Sequence, residues 1–233
     1  KKFPPGEAML VRDSKIEKKW KWYQLPAFKN SKLLSPSKRI SGVESHLRKA
    51  VHRQMLSDVP VGAFLSGGLD SSAVVAFARE HTSKIPCFTI ETIGGHERGM
   101  SDDLPYAKKV AKHLEVPLHV VSIDSYKMAS GLENMVAILD EPLADPASLN
   151  VLYISQLAKE NGIKVLLSGA GGDDLFTGYR RHYAIQIEKW LQLIPPRLRS
   201  GIERYTSSLN PANAFYRRLA KLFNGSTLDG DER

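Results

Sequence analysis

Two glycine-rich strings contain the residues best suited to chemistry. The first runs from Ser66 to Ser72 and reads Ser-Gly-Gly-Leu-Asp-Ser-Ser. Gly67 and Gly68 let the backbone pass close to a ligand. A helix that begins beyond them would turn free N–H groups and the positive end of its dipole toward an anion. With hydroxyl donors from Ser66, Ser71 and Ser72, the string predicts a cradle for pyrophosphate.

Asp70 is the acidic member of this string, and a carboxylate beside a phosphate repels it. A Mg²⁺ ion held between carboxylate and phosphate oxygens would remove that repulsion. The structural alternative is a plain glycine-rich turn in which Asp or Ser caps a helix. Because the complete string follows a short apolar run, Val61 to Leu65, we favour the ligand site over the turn.

The second string runs from Ser168 to Tyr179 and reads Ser-Gly-Ala-Gly-Gly-Asp-Asp-Leu-Phe-Thr-Gly-Tyr. It also follows an apolar run and contains a glycine turn. Asp173 and Asp174 stand where a second metal-linked carboxylate would be needed. We therefore expect the two strings to form one site.

The elements that must position these strings alternate between strand and helix. Apolar runs predict strands at 61–65, 86–90, 118–123 and 163–167. Helical periodicity predicts helices at 41–54, 71–80, 103–114, 125–139 and 147–160. This alternation predicts an α/β fold with a parallel sheet covered by helices on both faces. Beyond Tyr179 the pattern is helical only, at roughly 181–193, 196–206 and 212–223.

Composition restricts the class of protein further. The 233 residues are 42% hydrophobic and 25% charged, as in ordinary globular domains. No apolar run approaches the roughly 20 residues of a membrane span. Cys87 is the single cysteine, which excludes an internal disulfide framework and fits a cytoplasmic protein. The net charge of +8 is compatible with a nucleotide or a nucleic acid as ligand. We find no run of Lys and Arg interleaved with aromatic residues that resembles a platform for base stacking.

The first string resembles the PP-loop of ATP pyrophosphatases, which cleave ATP between its α and β phosphates. The second is similar to the string Ser-Gly-x-Gly-x-Asp-Glu-x-Phe-x-Gly-Tyr of asparagine synthetases. Asp102-Asp103 and Asp140-Glu141-Pro142 also resemble that family. Over about residues 58–183 the chain therefore resembles the glutamine-hydrolysing asparagine synthetases.

The resemblance implies a twisted parallel sheet like that of adenine nucleotide α-hydrolases, with a helical C-terminal portion. Residues 1–36, which could include a hairpin, would be the end of a glutaminase-like domain and a linker. Residues 37–233 would be the ATP-binding synthetase domain, truncated at its C-terminus. The implied partners are small molecules: ATP, aspartate or another carboxylate, and glutamine-derived ammonia. Neither nucleic acid nor membrane is implied, and a homodimer is compatible with the resemblance.

Roles for individual residues follow from the same resemblance. The implied catalytic residues are Asp70 and Asp173, which would also hold Mg²⁺ through the pyrophosphate. The implied substrate contacts are Asp174, Tyr179 and Arg180. The implied ATP-binding residues are Phe64, Ser66, Gly67, Gly68, Asp70, Ser71, Ser72, Ile90, Ser168 and Gly169.

Ala170 departs from the family pattern, because asparagine-making members usually carry Glu in this slot. The amide acceptor could therefore differ from aspartate. Two other interpretations remain open beside an ATP-dependent amidotransferase of asparagine biosynthesis. One is a nucleic-acid-modifying PP-loop ligase, and the other is a nucleotide-binding module without turnover.

Overall fold

The computed structural model describes residues 3–24, 34–94, 103–141, 143, 145, 147–179, 182–183, 190–191, 193–209, 213, 216, 220 and 222–223. The chain divides into two compact units, Lys1–Glu44 and Ser45–Arg233. The division falls within the first helix, α1 (Pro36–Gln54).

The first unit contains an antiparallel hairpin of β1 (Glu7–Arg12) and β2 (Lys15–Lys21). The connection is two residues long, and Asp13 and Ser14 have φ angles of 49° and 60°. Positive φ at both central residues is the requirement of a type I′ turn, whose twist matches that of the flanking strands. The hairpin suggested by the sequence of residues 1–36 is therefore present.

The second unit is built on a four-stranded parallel sheet with the order β5-β4-β3-β6. Its strands are β3 (Val61–Phe64), β4 (Cys87–Ile93), β5 (Leu118–Asp124) and β6 (Val165–Leu167). The expected parallel α/β architecture is confirmed. Because β3 and β6 are neighbours and run in the same direction, the two glycine-rich strings leave the sheet at the same edge.

Helices cover both faces of this sheet. The helices with described bounds that follow β3 are α2 (Leu69–His81), α3 (Leu104–Leu114), α4 (Ser125–Ile138), α5 (Ala147–Glu160), α6 (Gly172–Phe176) and α7 (Pro196–Ser207). On one face, Ala63 and Cys87 pack with Val75 of α2 and Ala107 of α3. On the other, Phe88 packs with Ile154 of α5. No described helix has both the length and the hydropathy needed to cross a bilayer.

Several element boundaries differ from the predicted ones for physical reasons. The first helix begins at Pro36 rather than residue 41, since proline fits the first turn and the polar residues after it carry no apolar signal. The last strand begins at Val165 rather than residue 163. Gly162 has a φ of 75°, and the Ile163 N–H donates to the Ala158 carbonyl at 2.9 Å, which closes α5.

The helical C-terminal portion is observed in part. The predicted helix at 196–206 is present as α7. Most of the predicted helices at 181–193 and 212–223 lies outside the described residues.

Candidate active site between two glycine-rich strings

The first string forms a tight turn from β3 into α2. Gly67 has a φ of +81°, and a Cβ atom there would lie 2.6 Å from Tyr106 Cβ and closer still to the Ala107 nitrogen. The turn therefore packs against the beginning of α3, and no larger residue fits at position 67.

The hydroxyl groups of the string are bonded within the turn. Ser66 Oγ and Ser71 Oγ lie 3.0 Å apart, and Ser72 Oγ donates to the Gly68 carbonyl at 2.6 Å. Gly68 is the N-cap of α2, and no side chain caps this helix. The N–H groups at the start of α2 are therefore available to an anionic ligand.

The second string follows β6 and packs directly on the first. A Cβ atom at Gly169 would lie 2.7 Å from the Ser71 nitrogen and 3.0 Å from Asp70 Cβ. Gly171 then turns the chain with a φ of +90° into the short helix α6. The glycines of the second string thus allow it to contact the first turn of α2.

The two strings enclose a cavity of about 420 Å³. Its lining residues are Phe64, Ser66, Gly68, Leu69, Asp70, Ser71, Ser168, Gly169, Ala170, Gly172, Asp173, Phe176 and Gly178. Seven of the ten positions expected to bind ATP are among them. Asp70 and Asp173, the two expected catalytic carboxylates, are therefore brought to one site by different elements.

The side chains of Asp70 and Asp173 have no bonding partner among the described residues. Asp70 and Asp173 are half-buried. Among the described residues, no side-chain hydrogen bond or ion pair is formed by either of them. A half-buried carboxylate without a protein partner is costly unless a cation or donor binds it, so the pair is suited to a cationic ligand.

The described residues do not complete a metal site by themselves. No three His, Cys, Asp or Glu side chains are grouped so that they could hold a metal ion in the described part of the chain. Magnesium is commonly bound by one or two carboxylates together with substrate phosphates. Asp70 and Asp173 therefore fit a magnesium ion that also takes oxygen ligands from a nucleotide.

Three expected ATP-binding residues lie apart from the described cavity lining. Gly67 contacts α3 and Ser72 bonds to its own turn. Ile90 packs against two core clusters. The strand predicted to end at residue 90 extends to Ile93, so Ile90 lies in the middle of β4 and not at its carboxyl end.

The expected substrate residues are also outside this lining. Asp174 and Tyr179 are exposed, and the Tyr179 ring makes an edge contact with His182 at 5.7 Å between ring centroids. Arg180 falls outside the described residues. The roles of these three residues remain predictions.

Several lining residues were not singled out from the sequence as ligand contacts. They are Leu69, Gly172, Phe176 and Gly178. All four belong to the two strings, so the signal was their position beside the predicted site residues. Their residue types alone could not identify them as cavity-lining, because the tertiary contacts decide which residues of a string face the cavity.

Cys87 is fully buried in the sheet, and burial raises its pKa from 9.0 to about 12. The thiolate is the nucleophilic form of cysteine. Cys87 therefore stays protonated at neutral pH and serves as part of the packed interior.

Comparison with known proteins places this site in a family. The asparagine synthase family model matches residues 42–229. The chain is 35% identical over 193 residues to a putative glutamine-hydrolysing asparagine synthetase 2 of Methanocaldococcus jannaschii, covering 80% of this chain and 35% of that protein. It is 35% identical to the glutamine-hydrolysing asparagine synthetase 1 of Bacillus subtilis, covering 77% of this chain and 27% of that protein.

A third relative carries a different name. The amidase chyE of Penicillium rubens is 30% identical, with 75% of this chain and 28% of that protein covered. The chain thus spans about a third of the length of the curated relatives it matches, or less. Since the family model covers most of the chain, including both glycine-rich strings, the chain belongs to the asparagine synthase family.

Proposed function

We propose that the chain is the ATP-binding part of an ATP-dependent amide-forming ligase that activates a carboxylate as an acyl-adenylate. The observation that supports this best is the pair Asp70 and Asp173, two carboxylates without a described protein partner that line one cavity. They lie beside the start of α2, where no side chain caps the helix. An anionic nucleotide with a bound cation matches both features.

The lining residues suggest how ATP is held. The β and γ phosphates lie at the first turn of α2, where the N–H groups beyond Gly68 and the helix dipole stabilise them. Ser168 and Gly169 contact the ribose and the α phosphate. Two aromatic residues, Phe64 and Phe176, are among the described lining residues, and Phe64 is the one that we assign to the adenine. Ile90 is partly buried and does not line the described cavity, so the adenine contact is assigned to Phe64.

Asp70 and Asp173 would hold Mg²⁺ together with phosphate oxygens, and the ion would neutralise the charge of the departing pyrophosphate. The chain's own contribution is to keep the two carboxylates on opposite strings of one cavity. Such positioning, together with the N–H groups of α2, supplies transition-state stabilisation without a covalent protein intermediate.

The proposed reaction has two steps. An oxygen of the acceptor carboxylate attacks the α phosphorus, the bond to the β-phosphate oxygen breaks, and pyrophosphate leaves. Ammonia then attacks the acyl carbon, a C–N bond forms, AMP leaves with the former carboxylate oxygen, and nitrogen loses a proton to solvent. The products are an amide, AMP and pyrophosphate.

The nitrogen source and acceptor are part of the proposal. Ammonia would come from glutamine in a glutaminase-like domain whose end is formed by residues 1–36, in a cytoplasmic enzyme that acts on small molecules and not on nucleic acid. Aspartate is the acceptor suggested by the names of two relatives. Ala170, which lines the cavity, has no group to accept a proton, so another carboxylate is the alternative acceptor.

A nucleotide-binding module without turnover is the second candidate function. Ala170 supports it, because the side chain can neither accept a proton nor orient ammonia. The two candidates make different predictions for ATP: both require binding, and only the ligase requires cleavage between the α and β phosphates.

The test is to incubate the complete natural polypeptide with ATP, Mg²⁺, aspartate and ammonium, and to follow phosphorus products by ³¹P NMR. The ligase yields AMP and pyrophosphate in equal amounts, and Asp173→Asn abolishes both. ADP and inorganic phosphate as products would overturn the proposal. Tight ATP binding without any AMP, with aspartate and with a panel of other carboxylates, would favour the module.

A further inference from the structure

The Asp70 carboxylate lies against a glycine of the opposite string. A Cβ atom at Gly172 would lie 2.8 Å from Asp70 Oδ1, and closer still to Oδ2 and Cγ. Distances this short are not tolerated between a carbon atom and a carboxylate, so any side chain at position 172 would displace the carboxylate. The present position of Asp70 therefore depends on the residue facing it.

Conformation does not explain the glycine at 172. Its neighbour Gly171 has a φ of +90°, which favours glycine, whereas Gly172 is the first residue of α6 and its φ is not in the left-handed region. The close approach of Asp70 is the remaining reason for glycine.

The backbones of the two strings cannot relax away from this contact easily. Three residues before Gly172, Gly169 is already packed on the backbone of Asp70 and Ser71, with its Cβ position 2.8 Å from the Asp70 carbonyl carbon. A methyl group at position 172 would then have to move the Asp70 side chain rather than separate the strings.

We propose that Gly172 is a positioning residue that keeps the Asp70 carboxylate against the second string, so that Asp70 and Asp173 present their oxygens to one metal-nucleotide complex. This inference rests on the proposed function. Gly172 touches no reacting atom itself and acts through Asp70. Its effect belongs to metal-assisted nucleotide binding, which can be measured without turnover.

The first experiment measures binding of α,β-methylene-ATP by calorimetry at increasing Mg²⁺ concentrations. The proteins are wild type, Gly172→Ala, Gly172→Ser and Gly201→Ala. Gly201 is a matched control in α7, since a Cβ atom there meets nothing within 4 Å. We expect both Gly172 variants to require about 10- to 100-fold more Mg²⁺ for half-maximal binding, the usual effect of losing support for a metal ligand, and Gly201→Ala to match wild type.

The second experiment is a double-mutant cycle with Asp70→Ala, read by thermal unfolding without nucleotide. Gly172→Ala should change the unfolding midpoint of the wild-type background little, because the atoms that the methyl group meets are the end of the flexible Asp70 side chain, which can turn away. The same substitution should leave the midpoint of the Asp70→Ala background unchanged or raise it, because the clashing carboxylate is gone. A merely structural role of Gly172 would lower both midpoints equally.

The outcomes separate this inference from the function it rests on. No Mg²⁺-dependent binding by wild type would overturn the proposed function. Binding by wild type together with Gly172→Ala behaving like Gly201→Ala would overturn this inference alone. An equal loss of stability in both Asp70 backgrounds would also overturn it.

Discussion

Asp70 stands in the first turn of α2, at the positive end of the helix dipole. The carboxylate is half-buried and makes no bond with another described side chain. Asp173, on the other string, is also half-buried and also makes no bond with another described side chain. At the residue scale, the site therefore consists of acidic groups whose partner is not supplied by the described protein.

Replacing Asp70 with Asn should separate ligand binding from stability. The substitution removes only the interaction of the Asp70 charge with the helix dipole, so the free energy of unfolding should change by at most about 1 kcal/mol. Stabilisation by Mg²⁺ and ATP together should disappear. Thermal unfolding with and without Mg²⁺ and ATP checks both statements. A variant that is still stabilised like wild type would show that Asp70 does not hold the metal-nucleotide complex.

The buried Cys87 should behave as an inert thiol. Burial raises its pKa to about 12, so a thiol reagent at pH 8 should leave the native protein unmodified and react with one thiol after unfolding in urea. The folded chain keeps a proton that the unfolded chain loses above its pKa of 9.0. The free energy of unfolding should therefore fall as pH rises from 9 toward 12 and be unaffected by Cys87 below 9. Rapid labelling of the native protein would contradict this.

At the scale of elements, strand-to-helix turns place the functional groups, and local sequence predicts such turns well. The start of β3 and the end of α3 were predicted to the residue, since apolar runs and helical periodicity are local signals. The extension of β4 to Ile93 was not predicted, because the polar residues Glu91 and Thr92 continue the strand only through their pairing with β5. That pairing is tertiary, and it places Ile90 in the middle of β4 rather than at its carboxyl end.

The contacts between elements were beyond sequence reasoning for the same reason. The sequence suggested that Gly67 binds a ligand through its backbone freedom, but its close neighbours are Tyr106 and Ala107 of α3. The contact between Gly172 and Asp70 joins residues about a hundred positions apart. The sequence shows that Gly67 and Gly172 belong to glycine-rich strings, but only the packing identifies the atoms that each glycine approaches.

Gly67→Ala should therefore destabilise the protein strongly for a single methyl group. The added Cβ meets the backbone of α3 and forces a non-glycine residue to keep a φ of +81°, which together should cost about 1–3 kcal/mol. Gly42→Ala is the matched control, because nothing lies within 4 Å of its Cβ position in α1. The control should be neutral or stabilising by up to about 1 kcal/mol in urea unfolding. Equal effects of the two substitutions would contradict the packing described.

At the scale of the whole molecule, the net charge of +8 coexists with a cavity in which the charged described lining residues are both acidic. The basic surface would attract polyanions from a distance, and a cation-bearing nucleotide would be selected at the site itself. The family match supports this interpretation over nucleic-acid modification, since the second string that distinguishes the family forms one wall of the cavity.

The central claim is that the acceptor carboxylate attacks the α phosphorus of an ATP molecule held between the two strings. The most direct measurement uses the complete polypeptide, ATP, ammonium and aspartate with ¹⁸O in its side-chain carboxylate, followed by mass spectrometry of the nucleotide and phosphate products. The acyl-adenylate route predicts one ¹⁸O atom in AMP and none in pyrophosphate. Recovery of ¹⁸O in inorganic phosphate, together with ADP, would contradict it.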